Sequence, residues 1–295
     1  MITNDQIALA KRLLEYQDYS EVFEEERSFY EQKYQISKFE EKPFCVFIPT
    51  YNNAEDERFQ KNIDSLLTQE YSNYRVLVVD DASPDSTGEI LRGYLSGNPV
   101  YQDMLDKKVF IRTNSERKMA LPNQLEAARD FCQPEELMLI LDGDDFLLGR
   151  QVLKLFNAVF SSSGVWIAYS NFLTLGGRAG FSREYPSTVI ANNQFRRVYF
   201  GISHLRVFYA KLLLQVKDED LRDEKGEYYR AANDVAIYMP MMEMAAERQT
   251  YVKELTYLYN SKTGLNNHSE KKDEQKQNDK KIRMKEPYAR LAELF

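Results

Sequence analysis

Four short apolar runs, three of them closed by a polar cluster, constrain this chain more than any other feature. Phe44-Cys45-Val46-Phe47-Ile48 ends at Pro49-Thr50-Tyr51-Asn52, and Arg75-Val76-Leu77-Val78-Val79 ends at Asp80-Asp81-Ala82-Ser83. Lys108-Val109-Phe110-Ile111 is the third run, and Leu137–Leu141 ends at Asp142-Gly143-Asp144-Asp145. Continuous apolar runs of this length read as strands buried on both faces. Helical periodicity fills the gaps: about Glu55 to Thr68, with Phe59, Ile63, Leu66 and Leu67 on one stripe, then about Ser86–Leu95, then residues 120–132. Strand and helix alternating at this spacing predict βαβ units. The fold class is therefore α/β, a mostly parallel central sheet with helices on both faces. In such sheets ligands bind beyond the carboxyl ends of the strands. Three polar clusters converge on that rim and mark a candidate site.

The flanks have a different texture. The first 35 or so residues predict a helical extension, with Thr3 and Gln6 spaced as a capping box and a break near Asp18–Ser20. Its apolar positions (Ile7, Ala10, Val22 and Phe23 among them) predict packing on the domain behind it, with a contact between copies of the chain as the alternative. The second half is less regular. Val165–Tyr169 reads as a strand, Gly176–Gly180 as a loop and 206–215 as a helix. Asn233-Asp234 opens a helix-like stretch through Ala245 that contains Pro240, Thr250–Tyr259 reads as a final strand, and Ser269–Lys285 as a solvated helix or mobile tail. The expected division is an extension over 1–40, one domain over 41–268 with halves 41–145 and 146–268, and a charged tail over 269–295.

The acidic clusters carry the chemistry. Carboxylates one residue apart at a strand end point oxygens into one volume, as Mg²⁺ or Mn²⁺ requires when it bridges to phosphate. A tight turn of solvated acids is the alternative for Asp142, Asp144 and Asp145. Asp80 or Asp81 can accept the imide N–H of a uracil ring; capping of the next helix by Asp81 or Ser83 is compatible with that role.

Taken in order, Pro49-Thr50-Tyr51-Asn52, Val78-Val79-Asp80-Asp81-Ala82-Ser83 with Asp85-Ser86-Thr87, and Leu141-Asp142-Gly143-Asp144-Asp145 resemble the family 2 glycosyltransferases of the GT-A fold, over about residues 42–265. The resemblance implies a GT-A (Rossmann-like) domain and an inverting transfer from a nucleotide diphosphate sugar, a UDP-sugar, to an acceptor hydroxyl. It places the donor against Thr50, Tyr51, Asn52, Asp80, Asp81, Arg117, Lys118, Asp142 and Gly143. It places Mn²⁺ or Mg²⁺ on Asp144 with Asp142 or Asp145, and His268 as a further ligand. Asp234 stands where the family has the acid that takes the acceptor proton, with Asn233 replacing a neighbouring acid and Glu243 as a second choice. Arg117 and Lys118 lie in a segment that lacks the family's glycines; solvation is the alternative for both. His204 resembles an acceptor-side position, with a structural role as its first reading.

The remaining arguments are exclusions. The 295 residues carry 39 basic and 46 acidic side chains, a net charge of −7, the wrong sign for a chain that binds nucleic acid. No apolar stretch approaches the ~20 residues that span a bilayer, and no secretory signal is visible. Two cysteines, Cys45 and Cys132, form neither a metal nor a redox spacing, which favours a reducing compartment. A cytoplasmic protein follows, with a peripheral position at a membrane as the alternative. Arg178, Arg183, Arg196, Arg197 and Arg206 read as a solvated rim rather than the seat of an anionic acceptor. Trp166, between Val165 and Ile167, reads as core. A phosphatase that uses paired aspartates has them after its first strand, and a nucleotidyltransferase has a glycine-rich loop there; neither fits. No polymerase-type Gln-x-x-Arg-Trp element occurs, so one or a few sugars are added. A catalytically silent nucleotide-sugar-binding or scaffolding protein is the non-enzyme alternative. The acceptor, whether glycan, lipid-linked or protein, is not legible.

Overall fold

The computed structural model describes residues 3–15, 20–54, 57–260 and 272–295. Its centre is an eight-stranded sheet: β1 (Phe44–Thr50), β2 (Tyr74–Asp80), β3 (Val109–Thr113), β4 (Leu137–Ile140), β5 (Phe146–Leu147), β6 (Ile167–Thr174), β7 (Arg206–Tyr209) and β8 (Gln249–Tyr259). The spatial order is β3-β2-β1-β4-β7-β6-β8-β5. β1 to β4, the four runs read from sequence, form a parallel half. Beyond β4 the sheet turns mixed, because β7 runs antiparallel to both β4 and β6.

The strands feed two cores by strict alternation. Cys45, Phe47, Leu77, Val79, Met138 and Ile140 point to one side, where the helix Asn233–Ala245 packs. Phe44, Val46, Ile48, Val76, Val78 and Leu139 point to the other, against helices α3 (Arg58–Leu67) and α4 (Thr87–Gly97). Both faces are dry, which is why these runs show no polar alternation. Cys45 and Cys132, 87 residues apart in sequence, are joined by a disulfide inside the first core. Cysteine usage therefore offers no argument for a reducing compartment. Among the described residues no helix is long and apolar enough to cross a membrane.

Two readings of the second half are corrected. Residues 206–215 are not one helix: β7 is followed by a short helix at Ala210–Leu213. Val207 and Phe208 are buried in opposite cores and Leu212 and Leu213 are buried as well, so helical and strand periods are indistinguishable there. Arg196 and Arg206 are buried rather than solvated. Arg196 pairs with Glu243 at 2.6 and 2.8 Å, and Glu243 also accepts the Tyr288 amide at 2.9 Å. Glu243 thus ties the C-terminal segment to the core and does not line an acceptor site. Trp166 is buried, with the Arg248 guanidinium on its ring, as expected of a core residue. The helix Lys272–Met284 docks through buried Asn278 and Ile282.

At the N-terminus, α1 (Asn4–Glu15) opens with the expected capping box: Thr3 N donates to Gln6 Oε1 at 2.7 Å, and Gln6 N to Thr3 Oγ1 at 3.3 Å. The helix α2 (Ser20–Tyr34) follows; the expected break falls on residues 16–19, outside those described. Leu9, Ala10, Val22 and Phe23 form a third core with Phe146, Leu148 and Leu258, so the extension packs on the domain. Each of the leucine, valine and phenylalanine side chains contributes about 1.5–3 kcal/mol when fully buried. Two buried acids fasten it. Glu254 of β8 takes Gln6, Lys33 and Tyr34. Glu26 of α2 accepts the amides of Arg150 and Gln151 at the head of the helix Val152–Ser163. Gly149 makes that approach feasible: at φ 94°, a Cβ there would sit 2.2 Å from Glu26 Oε1.

Burial raises the Glu26 carboxyl to about 7, against the pull of those two amides. The native state therefore holds a proton that the unfolded chain releases near 4.5. Stability from this group is full below 4.5, falls as pH rises, and is lost above about 7. Wild type should lose up to about 3 kcal/mol relative to Glu26→Gln between pH 4.5 and 7.5. Parallel denaturant titrations of the two proteins check this; superimposable pH profiles would mean that Glu26 does not titrate in that window.

Candidate functional site

The carboxyl ends of β1, β2 and β4 lie side by side, since Thr50 is in register with Asp80 and Phe47 with Ile140. The turn after β4 is locked from below. Asn62 of α3 donates to the carbonyls of Asp142 and Asp145 at 2.9 and 2.7 Å. Gly143 donates its amide to Pro49 O at 3.0 Å. A Cβ on Gly143 would meet Pro49 O at 2.8 Å and Thr50 Cβ at 2.9 Å, both rigid, so only glycine lets the two strand ends touch. Gly143→Ala is expected to cost about 1–3 kcal/mol, the scale of an overpacked core, and to weaken any ligand of this turn. Thermal unfolding with and without nucleotide checks both effects.

The turn gathers acids. Asp145 is buried, with Oδ1 accepting the Asn260 amide and Oδ2 the Tyr257 hydroxyl, both at 2.7 Å. Burial, then the charges of Asp144 and Asp142, push its carboxyl well above the usual aspartate range. Asp142 is only partly buried, with 38% of its side chain in solvent, and loss of hydration followed by repulsion from Asp144 raises it to about 7, with Arg206 pulling the other way. The cluster is thus short of positive charge.

His204, read from sequence as structural, faces Asp142: Nδ1 lies 3.7 Å from its carboxylate. The antiparallel register explains the placement. Ile140 pairs with Arg206, so two residues on along β4 and two back from β7 bring Asp142 and His204 opposite each other. Ligand atoms of Asp142, Asp145 and His204 lie within 4.8 Å of one another. Two carboxylates and an imidazole suit a divalent cation, and Mn²⁺ better than Mg²⁺. The His204 ring stacks on Tyr257 at 4.7 Å and Tyr259 at 5.6 Å, which fixes its plane. His268 lies outside the described residues.

Arg206 also organises the opposite wall. It grips Asp234, in the first turn of the helix Asn233–Ala245, with both amino groups at 3.2 and 2.8 Å. Arg206 is buried, while Asp234 keeps 41% of its side chain in solvent. Asp234 and His204 line one cavity of about 260 Å³ with Phe172, Phe181, Arg230 and Tyr259.

On the other flank the expected donor residues divide. Tyr51 carries the exposed Arg117 guanidinium on its ring, 3.6 Å from the centroid. Asn52 stands at φ 57°, where asparagine is tolerated, and donates its amide to Ser83. Thr50 is buried; its Oγ1 accepts from Asn53 and its carbonyl from the Asp81 amide. Asp80 accepts the amide of Ser83. Asp81 spends both oxygens inside the protein, on Asn114, the Lys118 amide and the Met119 amide at 2.8–2.9 Å. Burial would raise its carboxyl, but hydrogen bonds from Asn123, Lys118, Asn114 and Met119 outweigh this and hold it below the usual value. Asp81 therefore shapes the 114–119 segment. Lys118 turns its ammonium to Glu126 at 2.8 Å, not to the strand ends.

Residues 45–216 match the model of glycosyl transferase family 2. The poly(ribitol-phosphate) β-N-acetylglucosaminyltransferase TarS of Staphylococcus aureus is 26% identical over 231 residues, 74% of this chain and 35% of the relative. An uncharacterized protein of Sinorhizobium fredii is 24% identical over 212 residues, 70% of this chain and 21% of the relative. The chain thus spans about a third or less of the length of these curated relatives. Among solved structures, TarS residues 1–349 with UDP-GlcNAc superpose with a TM-score of 0.56 at 18% identity, covering 75% of this chain and 59% of that one. The mannosyltransferase PcManGT of Pyrobaculum calidifontis with GDP-Man and Mn²⁺ gives 0.51 at 18% identity, covering 88% and 70%. At that identity the superpositions speak for the fold.

Proposed function

The chain belongs to glycosyl transferase family 2, and on that premise we propose that it moves a sugar from a UDP-sugar to an acceptor hydroxyl with inversion, adding one or a few sugars. One observation carries this reading. The register of β4 and β7 brings the acidic turn, His204 and the Arg206–Asp234 pair close together, which supports a cation site at the turn with Asp234 as a separate carboxylate.

The roles follow from the contacts. Tyr51 and Arg117 offer a stacked, cationic surface for base and phosphate. Asp80 meets the base, since both oxygens of Asp81 are engaged elsewhere. Asp142 and Asp144, with the His204 imidazole, would hold Mn²⁺ or Mg²⁺, which offsets charge on the leaving diphosphate. Asp145 orients the turn from beneath. Asp234, presented by Arg206 at the cavity wall, takes the acceptor proton as its oxygen attacks the anomeric carbon from the far side. The UDP-GlcNAc and GDP-Man complexes of the structural neighbours support a nucleotide-sugar donor, and the Mn²⁺ of one supports the cation.

A nucleotide-sugar panel scored for UDP or GDP release, with Mn²⁺ and with chelator, tests the reading. Cation-dependent turnover of one donor is expected. Nucleotide binding without release from any donor, candidate acceptors included, favours the silent-binder alternative.

A further inference from the structure

Aromatic rings run without a gap from the acidic turn to the protein surface. Tyr257 stacks with His204, which also stacks with Tyr259. Tyr259 meets Phe172 at 5.2 Å, Phe172 meets Phe181 at 5.9 Å, and Phe181 meets Tyr199 edge to face at 6.1 Å. The last two rings are 51% exposed each, among the few large apolar side chains that face solvent. The Arg183 guanidinium lies on Tyr199, 4.2 Å from its centroid. Phe181 is not a stray surface residue, because it lines the same 260 Å³ cavity as Asp234.

We propose that this cavity is an acceptor subsite that seats one pyranose ring against Phe181, whose own ring Tyr199 backs edge to face, so that the acceptor is a ring-bearing glycan. The inference rests on the transfer reading and names the substrate class for it. A pyranose presents an apolar C–H face and a hydroxyl rim. An aromatic corner suits the face, at little cost in side-chain ordering. Arg230, Asn233 and Gln275, which line the same cavity, suit the rim as a small set of orienting polar groups. The volume lies below the roughly 300–1,000 Å³ of sites for larger ligands, which fits one ring. A ring held there places a hydroxyl beside Asp234. An acyclic polyol phosphate has no such face, and would leave Phe181 and Tyr199 without a role.

Saturation-transfer NMR on the full chain, with UDP and Mn²⁺ present, tests this. The probes are methyl pyranosides of glucose, galactose and N-acetylglucosamine, with ribitol 5-phosphate as the acyclic comparison. Ring protons of at least one pyranoside should receive saturation. Phe181→Ala should weaken that pyranoside roughly three- to tenfold, the range of an aromatic contact, while leaving UDP affinity unchanged. Phe181→Tyr should restore it. The proposal is overturned if no pyranoside binds, if only ribitol 5-phosphate does, or if Phe181→Ala leaves pyranoside binding unchanged. A wild-type protein that binds no UDP overturns the transfer reading itself, and the UDP titration separates that failure from the others.

Discussion

Asp144→Ala is expected to abolish cation-dependent nucleotide binding without unfolding the protein. The two effects have opposite signs in the cluster. The charge of Asp144 helps to raise both Asp142 and Asp145, so its removal relieves that repulsion in the folded chain. A cation ligand behaves otherwise, since its loss removes a direct bond to the ion. Loss of a mere supporting partner already costs about 10- to 100-fold in metal affinity, which sets the floor for the expected effect. Calorimetric titration of UDP in excess Mn²⁺, in chelator, and against thermal unfolding separates the contributions. Binding undiminished by the substitution in excess Mn²⁺ would remove Asp144 from the cation site. Binding lost together with the fold would make the turn structural.

How much of this site the sequence discloses depends on which half of the sheet holds each residue. β1, β2 and β4 are buried on both faces, so their apolar runs are unambiguous and the polar clusters at their ends are conspicuous. Asp142, Asp144, Asp145, Tyr51 and Asp80 stand out as candidates for that reason. His204 does not, because its place depends on β7 lying antiparallel to β4, and Arg206–Leu213 is apolar enough to pass for a helix. The Arg206–Asp234 pair is lost with it. Lys118 and Asp81 are partnered in ways the sequence does not disclose. Type and position suit a donor site, but Lys118 faces Glu126 and Asp81 faces the 114–119 backbone, partners set by the fold of a loop rather than by periodicity. The disulfide, too, joins residues whose nearness follows only from the packing around β1.

Asp234→Asn should leave nucleotide binding intact and lower transfer by about 10²- to 10⁴-fold, the usual contribution of a positioned base. The substitution keeps the shape and one oxygen for Arg206, but an amide cannot accept the acceptor proton. The buried guanidinium makes the control essential, because it now grips the carboxylate with two amino groups and would face an amide nitrogen with one of them. Some stability should therefore be lost, and thermal unfolding must show a folded variant before its kinetics are read. Asn233 sharpens the expectation. Its amide oxygen accepts the Asp234 backbone amide, and it offers no second acid at that position to substitute for Asp234. Asp142 lies across the cleft among the acids proposed to hold the cation, and Glu243 is buried against Arg196. Among the described residues that line the cavity, Asp234 is then the one carboxylate left to take the proton. Wild-type turnover by a folded Asp234→Asn protein would move the base out of this cavity altogether. Lost turnover with lost UDP binding would instead make the Arg206–Asp234 pair a brace for the acidic turn.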